Sequence, residues 1–143
     1  MSWDVLSFNY HGAPLKNIAL SSDEDGPDML GSAEDVRQAI ANALPDVGWS
    51  DPTWGMYLGD GFTFEFSTGK GDPVTTIMVH VRGDGDPIPS LLRAAVPNQW
   101  SLFDCSTSEF IDPNDPSQEG WTGFQQFREQ IVREYRDKDE TPT

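Results

Sequence analysis

The stretch Phe62-Thr63-Phe64-Glu65-Phe66-Ser67 alternates aromatic and polar side chains without a break. Successive side chains of an extended strand point to opposite faces, so these six residues predict a strand with one apolar and one polar face. After a turn over Thr68 to Pro73, the segment Val74 to Arg82 repeats the pattern. Ile77, Val79 and Val81 point one way, and Thr76, Met78, His80 and Arg82 point the other. Upstream, Trp54 to Leu58 is separated from Phe62 by Gly59-Asp60-Gly61, and glycine supplies the positive φ that tight hairpins need. Residues 54–82 therefore read as three consecutive antiparallel strands.

The flanking segments extend this frame in both directions. Trp3 to Tyr10 is aromatic and β-branched, with Leu6, Phe8 and Tyr10 on one alternating face, and reads as a strand. Residues 11–31 hold Pro14, Pro27 and the run Asp23-Glu24-Asp25 without periodicity, and read as a loop with scope for motion. Ser32 is placed to cap a helix, with Asp35 three residues on. Val36, Ile40, Ala43 and Leu44 then form one face, and Pro45 ends it. A second helix is predicted over Pro87 to Val96, and a hairpin of Trp100 to Cys105 with Glu109 to Ile111. A last helix is expected from Gln118 to Arg136, where Trp121, Phe124, Phe127, Ile131 and Tyr135 form a stripe to dock on the sheet. The polar tail from Asp137 is expected to fray.

Asp-Pro dipeptides at 51, 72, 86, 112 and 115 all fall between these segments, where Asp starts a turn and Pro interrupts a ladder. The whole reading is one α+β domain over residues 1–143. It has a mainly antiparallel sheet of about five to six strands and three helices, in the order β-α-β-β-β-α-β-β-α.

Charge narrows the classes of function. Against 24 acidic residues there are 9 basic ones, a net charge of −15 and a pI near 4.1. Affinity for phosphate draws on clustered Lys and Arg, so direct nucleic-acid binding is not expected. An acidic field instead steers a basic partner. The N-terminal residues carry no basic group ahead of an apolar stretch, and no apolar run approaches the roughly 20 residues that span a bilayer. With Cys105 as the single cysteine, these features point to the cytoplasm, with neither export nor membrane insertion expected.

Chemistry-bearing constellations are sparse. The chain lacks a Gly-x-Ser-x-Gly elbow and both common glycine-rich phosphate cradles. The nucleophile–base candidates are Cys105 with His80 or His11, and no catalytic signature surrounds Cys105. Asp23-Glu24-Asp25-Gly26 lacks the bidentate glutamate of a calcium loop, having Ser32 six residues after the glycine. Asp84 and Asp86 are turn acids in the glycine-rich stretch Gly83 to Asp86. No metal, cofactor or catalytic residue is assigned on this basis, and the chain reads as a binding protein rather than an enzyme.

The candidate partner-binding residues are turn acids and aromatics: Trp49, Asp51 and Trp54 around one aromatic turn, Asp60 in the hairpin, Glu65 on the polar strand face, and Asp84 with Asp86. If all three helices cover the apolar face, the face with Thr63, Glu65, Ser67, Thr76, Met78, His80 and Arg82 stays open. Glu65 opposite His80 or Arg82 is then either an ordinary cross-strand pair, worth about 0.2–1 kcal/mol, or one edge of a recognition surface.

Five segments together resemble a family of small bacterial proteins without an established activity. They are Ser2-Trp3-Asp4-Val5, Trp49-Ser50-Asp51-Pro52-Thr53-Trp54-Gly55, Asp60-Gly61-Phe62, His80-Val81-Arg82-Gly83 and the run from Asp104 to Asp112. In size and acidity the chain is also similar in kind to the immunity proteins of polymorphic and contact-dependent inhibition toxins. That likeness implies an inhibitor that covers a basic toxin or nuclease domain with acidic side chains, and it carries over no individual residue. The alternatives are a small-molecule-binding protein or enzyme with a pocket near Cys105 and His80, and a general protein-interaction domain.

Overall fold

A computed structural model describes residues 2–9 and 29–140, apart from the side chains of 135–140. The acidic run at 23–25, His11 and Tyr10 lie outside the described residues. The elements in chain order are β1 (Trp3–Phe8), α1 (Ala33–Ala43), β2 (Gly48–Asp51), β3 (Trp54–Leu58), β4 (Phe62–Ser67), β5 (Ile77–Gly83), α2 (Ile88–Ala95), β6 (Ser101–Asp104), β7 (Glu109–Phe110) and α3 (Glu119–Glu140). All seven strands join one antiparallel sheet in the order β2-β3-β4-β5-β1-β6-β7. The architecture is thus the expected α+β one, with one strand more than the upper expectation.

The added strand is β2. Gly48-Trp49-Ser50-Asp51 was expected to lead into a turn, yet it pairs with β3 through Gly48 with Met56 and Trp49 with Gly55 before the register shifts. Asp51 makes the tight connection: its Oδ1 accepts from both the backbone N–H and the hydroxyl of Thr53, each at 2.7 Å. Those bonds hold the Asp51 carboxyl below the usual carboxylate range.

Strand β1 is phased differently from its expected apolar face. Trp3, Val5 and Ser7 are buried, and Leu6 and Phe8 point to the opposite face. Val74 makes an isolated bridge to Gly31 and β5 begins only at Ile77. The expected cap on α1 is present, with the Asp35 N–H donating to Ser32 Oγ at 3.1 Å. Asp72, in the turn before β5, adds a second acceptor there, its Oδ1 taking the Ala33 N–H. The last helix continues past Arg136 to Glu140.

The core lies on one side of the sheet. Trp3 and Val5 of β1, Phe62, Phe64 and Phe66 of β4, Ile77, Val79 and Val81 of β5 and Leu102 of β6 form its floor. Val36, Ile40 and Leu44 at α1, Ile88, Leu91, Ala94 and Ala95 of α2, and Trp121 of α3 close it. Hence all three helices dock on the same face. The α3 stripe docks for only part of its length: Trp121 is buried and tilted against Trp3, Phe124 is half-buried, and Phe127 is 54% exposed.

Candidate binding surface

Strand register places the side chains of the opposite face in rows that cross the sheet. One row runs through Phe110, Phe103, Leu6, Met78, Ser67 and Trp54, and is apolar in five of six positions. The next row runs through Asp4, His80, Glu65 and Met56, and beyond it Arg82, Thr63 and Leu58 align. None of the helix residues of the core packs on these rows, and their open part is the β3–β4 end: Phe110 is 7% exposed and Ser101, which pairs with Phe8 on the same face, is 1% exposed. Met56 and Leu58 are correspondingly 44% and 72% exposed, large apolar side chains for which the core has no use.

Both carboxylates of the charged row have partners on the sheet. Asp4 Oδ1 accepts from His80 Nδ1 at 2.8 Å and from Ser2 Oγ at 2.6 Å. A carboxylate can only accept, so the imidazole proton is on Nδ1. Glu65 faces His80 in register and forms its ion pair with Arg82, two residues along β5 on the same face. The Trp54 indole stacks on the His80 ring with centroids 5.8 Å apart and so joins the apolar row to the charged one.

The candidate residues divide between three places. Trp54 and Glu65 lie on this uncovered face. Trp49 does not: it points to the helical side and packs against the core, and its buried indole N–H has no acceptor among the described residues. The two tryptophans that flank the β2–β3 turn thus lie on opposite sides of the sheet. Asp51, Asp60, Asp84 and Asp86 are exposed at the sheet margin.

Asp60 and Asp84 are gathered at one end by a backbone contact. The Gly61 carbonyl accepts from the N–H groups of Asp84 and Gly85, at 2.9 and 2.8 Å. Gly83 has φ +111°, and a Cβ there would stand 2.3 Å from the Gly61 oxygen, so close approach of the two chains requires glycine. Asp86 Oδ1 accepts the Ile88 N–H at the start of α2.

Cys105 and His80 do not form a nucleophile–base pair. The histidine is committed to Asp4, and it is absent from the residues that line the groove beside Cys105. Partial burial, then Asp4, then Asp104 push the Cys105 thiol up, opposite to the shift that activates a thiolate. Sequence reasoning missed Asp104, which is 4% exposed. Its Oδ1 accepts from Trp3 Nε1 at 3.0 Å and from the N–H and hydroxyl of Ser106 at 2.9 and 2.6 Å. The Asp-x-Ser spacing was its local signal.

Among the described residues, no three His, Cys, Asp or Glu side chains come together as a metal-binding set, and no helix is long and apolar enough to cross a membrane. Comparison with protein-family models, curated proteins and solved structures returned no match.

Proposed function

We propose that this chain is a binding protein that docks a basic protein partner on the uncovered face of its sheet. One observation carries the reading: at the β3–β4 end of that face Met56 and Leu58 are exposed beside half-buried Trp54, where the apolar row ends, with acids at the margin. Protein interfaces characteristically combine an apolar centre rich in aromatics and Met with a polar rim. Here Asp51, Asp60, Asp84 and Asp86 supply the rim, and the net charge of −15 favours a partner of opposite sign. The pairing of Asp4 with His80 and of Glu65 with Arg82 leaves both carboxylates with hydrogen-bond partners when that row is covered.

Within this reading the partner is a toxin or nuclease domain and the chain an immunity-type inhibitor. The small size, the acidity and the resemblance in kind support that assignment. Capture from the native host at low and high salt tests it, with the wild type beside a D60N/D84N/D86N variant. A basic partner retained by the wild type, weakened by salt and lost from the variant is expected. Equal capture by both proteins, independent of salt, would exclude electrostatic docking at this end of the sheet.

A further inference from the structure

Among the described residues the tripeptide Gly-Asp-Gly stands at two places, as Gly59-Asp60-Gly61 between β3 and β4 and as Gly83-Asp84-Gly85 at the end of β5. A third Asp-Gly pair, Asp25-Gly26, lies outside the described residues. An aspartyl carboxyl followed by glycine is open to attack by the glycine's backbone nitrogen, because the following residue has no Cβ to obstruct closure of a five-membered ring. With glycine on both sides, Asp60 and Asp84 have matched local chemistry. The fold treats them differently.

The Asp84–Gly85 unit is held on each side. The Gly85 N–H, whose nitrogen would have to attack, donates to the Gly61 carbonyl at 2.8 Å, and the Gly85 carbonyl accepts from Trp121 Nε1 at 2.9 Å. The Asp84 N–H is bound to the same Gly61 oxygen at 2.9 Å. Ring closure at Asp84 must break the first of these bonds and turn the peptide against the other two. Asp60 and Gly61, by contrast, are both exposed, and the Gly61 N–H has no hydrogen-bond partner among the described residues. The bonds that Gly61 makes run through its carbonyl oxygen, one peptide unit further on, and leave its nitrogen free.

We propose that Asp60 is a site of spontaneous isoaspartate formation, and that the contact between the two turns protects Asp84 from the same reaction. The Gly61 nitrogen bonds to Asp60 Cγ, the carboxyl hydroxyl leaves as water with the amide proton, and a succinimide closes. Water then adds to one of the two ring carbonyls and breaks its bond to nitrogen. Opening at the main-chain carbonyl leaves Gly61 attached through Cγ, so the backbone gains one methylene and residue 60 keeps one carboxylate. One water is lost and one regained, and no oxidant, reductant or other reactant enters. The reaction does not depend on the partner proposed for the sheet.

Peptide mapping with electron-transfer fragmentation, which distinguishes isoaspartate from aspartate, provides the test. The full chain is held at neutral pH for several weeks, once folded in buffer and once in guanidinium chloride, and then digested with trypsin. Fragments 38–70 and 83–93 carry the two sites separately. In the folded protein isoaspartate is expected to form at residue 60 at least about fivefold faster than at residue 84, the factor that one hydrogen bond is worth. In guanidinium, where the turns are apart, the two rates should agree within about twofold, because the tripeptides are the same. Equal rates in the folded protein, a faster reaction at Asp84, or no product at either site in the folded protein would overturn the proposal. A fivefold preference that persists in guanidinium would overturn it as well, by placing the difference in the sequence instead of the fold.

Discussion

The Trp54 indole lies over the imidazole of His80, 26° from parallel, on the face of the sheet opposite all three helices. This contact ties a tryptophan that the core does not use to a histidine already held by Asp4. It shapes a surface more than it supports a fold. Trp54→Ala is therefore expected to cost only about 0.5–1.5 kcal/mol, the worth of one aromatic stack. Urea unfolding of wild type and variant measures it. A loss of several kcal/mol would place Trp54 in the load on the core instead.

Asp104→Ala should have the larger effect. It leaves the Trp3 indole N–H and the Ser106 donors without their acceptor beneath α3. An unsatisfied buried donor and a lost carboxylate predict about 2–4 kcal/mol of destabilisation by urea unfolding. Asp104→Asn keeps an oxygen at that position and should lose less. Equal stability of the alanine variant and the wild type would show that these bonds contribute little.

Much of the fold was legible because β4 and β5 alternate strictly. Phe62, Phe64 and Phe66 have no apolar competitors on the other face, so phase and partner follow together. In β1 both faces carry apolar residues, and Leu6 with Phe8 competed with Trp3 and Val5. Only the presence of helices on one side decided between them. Strand β2 was hidden because an edge strand of four residues with three exposed positions carries almost no periodic signal. The α3 stripe predicts which residues share a side of the helix, not whether the sheet extends far enough to meet them, and Phe127 marks where it does not. The acids of the candidate surface were visible individually. Their grouping was not, since the bonds from Asp84 and Gly85 to Gly61 form only when β3–β4 and the end of β5 meet.

Gly83→Ala probes that meeting point. The added methyl would collide with the Gly61 carbonyl, and φ +111° is strained for alanine. A destabilisation of about 2 kcal/mol or more is expected, together with amide shift changes at Asp60 and Asp84. Unchanged stability would mean that the two turns do not hold one another.

The thiol of Cys105 should label slowly. Burial and the neighbouring carboxylates of Asp4 and Asp104 disfavour the thiolate, so its titration midpoint stands above the ordinary value of 9.0. Rates of iodoacetamide modification should rise at higher pH than for free cysteine, and Asp4→Asn should move the profile downward by removing one charge. A midpoint below that of free cysteine would contradict the geometry and reopen nucleophilic chemistry at this position.

The most direct test of the central claim is calorimetric titration of the captured basic partner with wild type, with an M56S/L58S variant of the uncovered face, and with Q38A on exposed α1. The account predicts that the M56S/L58S protein folds normally and binds at least about tenfold more weakly, as expected when apolar interface contacts are removed, while Q38A binds as wild type. Full affinity in the M56S/L58S variant with loss of binding in Q38A would contradict it and move the partner to the helical side.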